Sequence, residues 1–221
     1  LSETLFLMML TLYFHYLFQN RSTDYLRAGI AGGIMHLVKP SLYYFYPVML
    51  VCQIVFLGHS WKKALITFTI VILFMIPWGI RNQMVLGEFV TGTTVVGQVL
   101  WEGNNPYNPR GVTSGEFRSR GDYLEDMPEG LSELERDGWK KQQAFDYIKE
   151  NPGRFIEVSV SRLLRFWNLW PNHPRFHSFK YKAISVGSFG VVLVGFLLSF
   201  WALRSQWRIL CPTLLFFLYY T

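Results

Sequence analysis

Between Ala64 and Ile76 the chain reads "ALITFTIVILFMI", without a single charged side chain. No polar stripe interrupts it at helical spacing. A helix that is apolar all round must be covered on every side, by a large protein core or by lipid. The run ends in "PWGIRN", Pro77 to Asn82. Proline interrupts the backbone hydrogen-bond ladder, and tryptophan favours the boundary between hydrocarbon and water. An arginine and an amide then meet polar surroundings. Residues 64–80 approach the roughly 20 needed to cross a bilayer as a helix. The stretch therefore reads as a helix that leaves a membrane at Pro77.

The remaining sequence agrees with a lipid solvent. Of 221 residues, 51% are hydrophobic and 16% charged, against about 25% charged in ordinary soluble domains. Outside residues 81–182 the only acids are Glu3 and Asp24. The net charge of +6 raises nucleic acid as a partner, but no basic cluster with interleaved aromatics supports it. The lysines and arginines sit instead at the ends of apolar segments, as in membrane proteins. Cys52 and Cys211 lie inside apolar runs and read as small hydrophobes, with no disulfide expected.

Further apolar segments cover residues 4–19, 28–38, 41–58 and 183–203. The expected fold is an all-α polytopic membrane bundle with one extracytoplasmic insertion. Residues 1–80 carry about four hydrophobic segments. Residues 81–182 form the insertion, and 183–221 form C-terminal spans of which the last is cut short. The chain starts without an initiator methionine and stops inside an apolar run, so an internal piece of a longer membrane protein is expected. Arg21, Arg27, Lys62, Lys63, Arg204 and Arg208 fall in short links, which the positive-inside rule assigns to the cytoplasm. Alternation sends Glu3, Lys39-Pro40 and residues 81–182 to the other face. Ala28, Gly29, Ala31, Gly32 and Gly33 would let a neighbouring helix approach closely. Within the insertion, residues 87–138 read as turn and loop, with "EGNNPYNPRG" as the clearest case. About residues 139–168 the pattern turns helical, broken at Asn151-Pro152. Its mixture of arginines and large apolar residues suits a helix in the headgroup plane.

No soluble-enzyme signature is present: no phosphate-binding glycine loop, no HExxH, no nucleophile elbow and no paired-cysteine metal motif. His173 and His177 share helical spacing, but Pro174 lies between them, so no metal pair is expected there. What the topology does gather on one face is a set of polar groups. Glu3 opens a span, Lys39 interrupts an apolar run, Arg81 and Asn82 close the next span, and Glu102, Asn104 and Asn105 follow in the loop. Two cations at the headgroup level suit a lipid-linked phosphate: arginine grips it with a fork, and lysine adds a point charge. Nearby carboxylates could orient or deprotonate an acceptor hydroxyl. Each group also has a plainer reading. Glu3 can neutralise a helix dipole, Lys39 can snorkel to phospholipid headgroups, Arg81 can anchor beside Trp78, and "EGNNP" can be a turn. The convergence of the set carries more than any member.

The blocks "SETLF", "AGIAGGIMHLVKP", "PWGIRNQMVLGEFVTGTT", "LWEGNNP" and "AFDYIKENPGRFIEVSVSRLLRFWN" together resemble one family in order and spacing. It is the multi-spanning GT-C glycosyltransferases, in particular the bacterial proteins similar to dolichyl-phosphate-mannose–protein mannosyltransferases and lipid A aminoarabinose transferases. The resemblance covers roughly Ser2 to Asn168. It implies transfer of a sugar from a polyprenyl-phosphate carrier to a lipid or protein acceptor on the extracytoplasmic face, in a bacterial inner membrane. It implies that Glu3 matches an acid at the start of a later span, as a catalytic residue. Lys39 matches a basic residue that follows a short glycine-rich helix and binds the carrier phosphate, and Arg81 serves as a second phosphate contact. Asn82, Glu102 and Asn104 are then acceptor- or substrate-binding residues. The family's first-loop acid would precede Leu1. Glu102 falls where some relatives place a metal or acceptor ligand, but Asn104 stands where a histidine ligand is expected. No residue is assigned to a metal, and a divalent ion is left open as a cofactor. The alternatives are a transporter or flippase for lipid-linked sugars, a polysaccharide polymerase or ligase, and a non-catalytic membrane subunit.

Overall fold

The computed structural model describes residues 2–106, 127–171 and 176–220, and among these there are helices and no strand. In order they are α1 (Ser2–Gln19), α2 (Asp24–Val38), a single 3-10 turn (Pro40–Leu42), α3 (Phe45–Val55), α4 (Trp61–Leu86), α5 (Val96–Gly103), α6 (Glu133–Glu150), α7 (Pro152–Phe166), α8 (Phe179–Ala202) and α9 (Trp207–Tyr220). The expected all-α architecture is what forms. By length and composition, α4 and α8 could each cross a membrane.

The chain divides into two compact units, Leu1–Thr93 with Leu203–Tyr220, and Thr94–Ala202. Residues 81–93 therefore group with the helices before them, whereas the sequence placed the change of character at residue 80.

In the first unit, α1, α2 and α4 pack together because α2 is nearly bare on two sides. A Cβ on Gly32 would lie 2.9 Å from Val71 of α4 and 3.1 Å from the Tyr13 ring of α1. The glycine is the gap that lets three helices meet, with Tyr13, Met35 and Val71 buried around it. Gly29 faces Ile70 and Gly33 faces Phe74, while Thr67 donates to the Tyr25 carbonyl at 3.0 Å. Residue numbers rise together along the two helices, so α2 and α4 run parallel. α1 runs antiparallel to α2: Glu3 meets Lys39, and Arg27 lies over Tyr16. Tyr46 of α3 donates to the Gly32 carbonyl at 2.8 Å, which satisfies a hydroxyl that would be costly to bury alone. α9 runs antiparallel to α3, with Trp207 against Phe56 and Phe216 against Phe45.

The opening motif behaves differently from the expectation. α4 does not stop at Pro77 but runs through it to Leu86. Proline removes one N–H, yet the residues after it keep theirs and continue the ladder. The helix ends where Gly87 adopts φ 81° and its N–H bonds to the Gln83 carbonyl at 3.2 Å. That left-handed cap is a position glycine fills without strain.

The second unit is built on α5, α6 and α7. Ser132 and Glu135 form a reciprocal capping box at the start of α6, the serine-to-glutamate spacing that satisfies two otherwise orphan N–H groups. α6 ends at Asn151, and Pro152 opens α7 at a position where its missing N–H costs nothing. The expected break at Asn151-Pro152 is thus present. The helix α5 arises inside a stretch expected to be loop. In α8, Ser185 donates to the Leu169 carbonyl at 2.8 Å, and none of its residues is buried.

Candidate functional site

Lys39 sits where α2 stops. Pro40 biases the residue before it away from helical geometry, and Lys39 has φ −138° and ψ 91°. Its own N–H still bonds to the Met35 carbonyl at 2.9 Å. Antiparallel packing brings the start of α1 to this point. The Lys39 Nζ lies 2.7 Å from Glu3 Oε2 and 5.1 Å from the centre of the Phe6 ring. Glu3 is 68% exposed and Lys39 29%, so the pair is a rim feature with its ammonium partly sheltered. An ammonium has three donors and can serve a carboxylate and a second anion at once.

Arg81 and Asn82 lie on α4, beyond Pro77. The parallel pairing of Gly29 with Ile70 and Gly33 with Phe74 carries the end of α2 to the level of the Pro77–Arg81 turn. Arg81 is exposed. Its guanidinium lies 5.2 Å from the Trp78 ring centre and donates to Asn82 Oδ1 at 2.9 Å. The Asn82 amide is buried and donates to the Val90 carbonyl at 2.6 Å. Residues 88–93 therefore fold back over the end of α4. Phe89 covers Gly79, where a Cβ would come within 2.4 Å of its ring. The strap is tied to α2 as well: His36 Nε2 donates to the Thr91 carbonyl at 3.2 Å. His36 is buried between Tyr43 and Tyr46, and its Nδ1 has no hydrogen-bond partner. Sequence reasoning passed over His36 as one of several scattered histidines. Its place one turn before Lys39 was the available signal.

Glu102 and Asn104 belong to the second unit. Glu102 ends a polar chain in which Lys140 donates to Gln98 at 3.2 Å and Gln98 donates to Glu102 at 2.8 Å. Asn104 and Asn105 are both buried. Their amides donate to the Leu100 and Trp101 carbonyls at 2.9 Å and 2.6 Å, which satisfies the last turn of α5. Asp137 of α6 closes the other end of that helix, accepting from the Gly97 and Gln98 N–H groups at 2.9 Å each. Gly97 is required here, since a Cβ would lie 1.9 Å from the Asp137 carbonyl oxygen. Arg162 of α7 donates to the Gly103 carbonyl at 2.9 Å. Burial, and then the nearby Arg165, pull its pKa down. Asp137 and Arg162 were not singled out from sequence, because each acts through a backbone group distant in the chain.

The six candidate residues are thus divided: Glu3, Lys39, Arg81 and Asn82 in the first unit, Glu102 and Asn104 in the second. Among the described residues no cluster of three or more histidine, cysteine or acidic side chains is suited to a metal. His177 bonds to the Pro171 carbonyl at 3.1 Å; His173 and Pro174 lie outside the described residues, as do the last five residues of "EGNNPYNPRG". Comparison with known proteins finds no family model, no curated protein and no solved structure that matches this chain.

Proposed function

We propose that this chain belongs to an integral membrane glycosyltransferase that moves a sugar from a polyprenyl-phosphate carrier to a lipid or protein acceptor. The Glu3–Lys39 ion pair at 2.7 Å carries the reading. It joins two residues far apart in sequence at the end of the first unit where α4 also presents Arg81. Lys39 and Arg81 would hold the carrier phosphate. In the reaction the acceptor oxygen attacks the anomeric carbon, the bond from that carbon to the phosphate oxygen breaks, and the lipid phosphate leaves with the electron pair. Glu3 would orient the acceptor hydroxyl and take its proton, while Lys39 and Arg81 offset the charge gained by the leaving phosphate. Asn82, locked by the strap, holds Arg81 in place.

Membrane insertion is supported by α4 and α8 and by large apolar side chains left exposed, among them Leu7, Leu73, Val191 and Leu198. Arg21, the first turn of α4 with Lys62 and Lys63, and the first turn of α9 with Arg208 gather at the end of the first unit opposite Lys39. With that basic end in the cytoplasm, Glu3, Lys39 and Arg81 face outward, at the bacterial plasma membrane.

The test is transfer of a radiolabelled sugar from a synthetic polyprenyl-phosphate donor by the protein in proteoliposomes. Lys39→Ala and Arg81→Ala should each lower turnover at least about tenfold, the loss of one charge-assisted contact to phosphate, while inserting normally. Wild-type turnover in both variants rejects the phosphate role. Carrier translocation without sugar transfer would favour a flippase instead.

A further inference from the structure

At the end of the first unit opposite Lys39 lies a polar cavity, of about 400 Å³. Three links converge on it, and Asn20, His59, Ser205, Gln206 and Arg208 line its polar side. Leu17, Phe18, Leu57 and Ile209 line the rest. That volume falls in the roughly 300–1,000 Å³ range of ligand pockets.

Several observations point to what it takes. Arg21, Arg27, Lys62, Lys63, Arg204 and Arg208 surround this end, with Asp24 as the acid nearby in sequence. Asp24 is itself buried and engaged, lying 3.6 Å from Arg27 and accepting from the Arg21 N–H at 3.0 Å. The field over the cavity is therefore positive, which attracts an anion. Arg208 is exposed and lies 5.9 Å from the Trp207 ring centre. His59 is 6% exposed, and its Nδ1 has no hydrogen-bond partner. Its ring bonds to the backbone of Leu17, whose carbonyl, in the last turn of α1, has no helical partner. Nε2 therefore holds the proton in the neutral ring. Burial and then Lys63 push the His59 pKa down, so the ring adds no charge of its own to this wall. The half-apolar lining fits a molecule whose phosphate adjoins hydrocarbon.

We propose that this cavity seats the headgroup of an anionic phospholipid, with the phosphate held by Arg208, Asn20 and Gln206 and the glyceryl end against Leu17, Leu57 and Ile209. The site is separate from the Glu3–Lys39 pair, and it stands or falls by lipid binding, whatever becomes of sugar transfer.

The experiment is native mass spectrometry of the full chain released from nanodiscs of phosphatidylcholine mixed with the anionic lipid phosphatidylglycerol. The wild type should retain phosphatidylglycerol preferentially. Arg208→Gln should weaken retention at least about tenfold, the loss of a charge-assisted contact. Lys62→Gln, which alters the field without lining the cavity, should weaken it no more than about fivefold. Asn20→Asp keeps a residue that tolerates φ 51° and puts a repelling carboxylate in the wall, so it should abolish the preference. A Lys149→Gln control, at an exposed lysine of α6 that does not line the cavity, should retain the lipid as the wild type does. Equal losses in Arg208→Gln and Lys62→Gln, or no preference over phosphatidylcholine, overturn the proposal. Displacement of the lipid by millimolar glycerol 3-phosphate would assign the site to a soluble phosphate and overturn the lipid assignment.

Discussion

Replacing Gly33 by alanine tests whether close helix approach organises the first unit. A Cβ at that position would lie 2.4 Å and 2.5 Å from two ring carbons of Phe74 and 2.8 Å from its Cβ. The ring can rotate away, but the Phe74 Cβ is fixed to the α4 backbone. Relief therefore requires α2 and α4 to move apart by on the order of 1 Å, since carbon atoms rest about 3.5–4.0 Å from one another. Such overpacking costs about 1–3 kcal/mol. Alanine recovers close to 1 kcal/mol of helix propensity over glycine, so the net loss should be about 0–2 kcal/mol. The matched control is Gly187→Ala in α8, where a Cβ meets nothing within 4 Å and only the propensity gain remains. The propensity gain is common to both, so the two variants should differ by the overpacking cost, about 1–3 kcal/mol, in reversible unfolding in mixed micelles. Gly29→Ala, with its nearest contact at 2.8 Å on Ile70, should fall between them. The packing argument is refuted if Gly33→Ala is as stable as Gly187→Ala, or if Gly187→Ala is the more damaging change. A separation of α2 from α4 should also disturb the His36–Thr91 bond, which amide exchange on residues 88–93 would register.

Glu3→Gln should change stability by no more than about 1 kcal/mol, because the ion pair is largely exposed, yet lower sugar transfer; unfolding and turnover measured on the same preparation separate the two. Asp137→Ala leaves the Gly97 and Gln98 N–H groups without their acceptor and should cost about 1–2 kcal/mol, read as faster amide exchange confined to α5. The capping hydrogen bonds from Ser132 hold the Glu135 carboxyl below its usual pKa. A depressed carboxyl stabilises the fold above its unfolded pKa, and that contribution fades as pH falls through the folded pKa. Exchange at the first turn of α6 should therefore quicken on acidification below the ordinary glutamate range, and Glu135→Gln should remove most of that pH dependence.

Much of the helix plan could be read without coordinates. The breaks at residues 20–23, Lys39-Pro40, Gly58–Ser60 and Asn151-Pro152 carry local signals: polar links, proline geometry, and a glycine that adopts φ 67° at Gly58. The extent of α4 could not be read in the same way. Proline is a strong local breaker, but packing along α2 and the cap at Gly87 carry the helix past it. α5 was missed because its helix is short and its termini are completed by Asp137 and Asn104, residues that local propensity does not connect to it.

The sequence by itself determined that this chain would be helical, that its long segments would be apolar on all sides, and that most cations outside residues 81–182 would fall at or near the short links. These are consequences of composition and spacing, which act within a few residues. Only the tertiary structure decided that Glu3 would meet Lys39, that α2 and α4 would run parallel in a register carrying Lys39 to the level of Arg81, and that Glu102 and Asn104 would belong to a different unit. The reason is that such pairings depend on which glycine faces which side chain across a helix interface, and helical periodicity leaves several registers equally apolar until the side chains are packed.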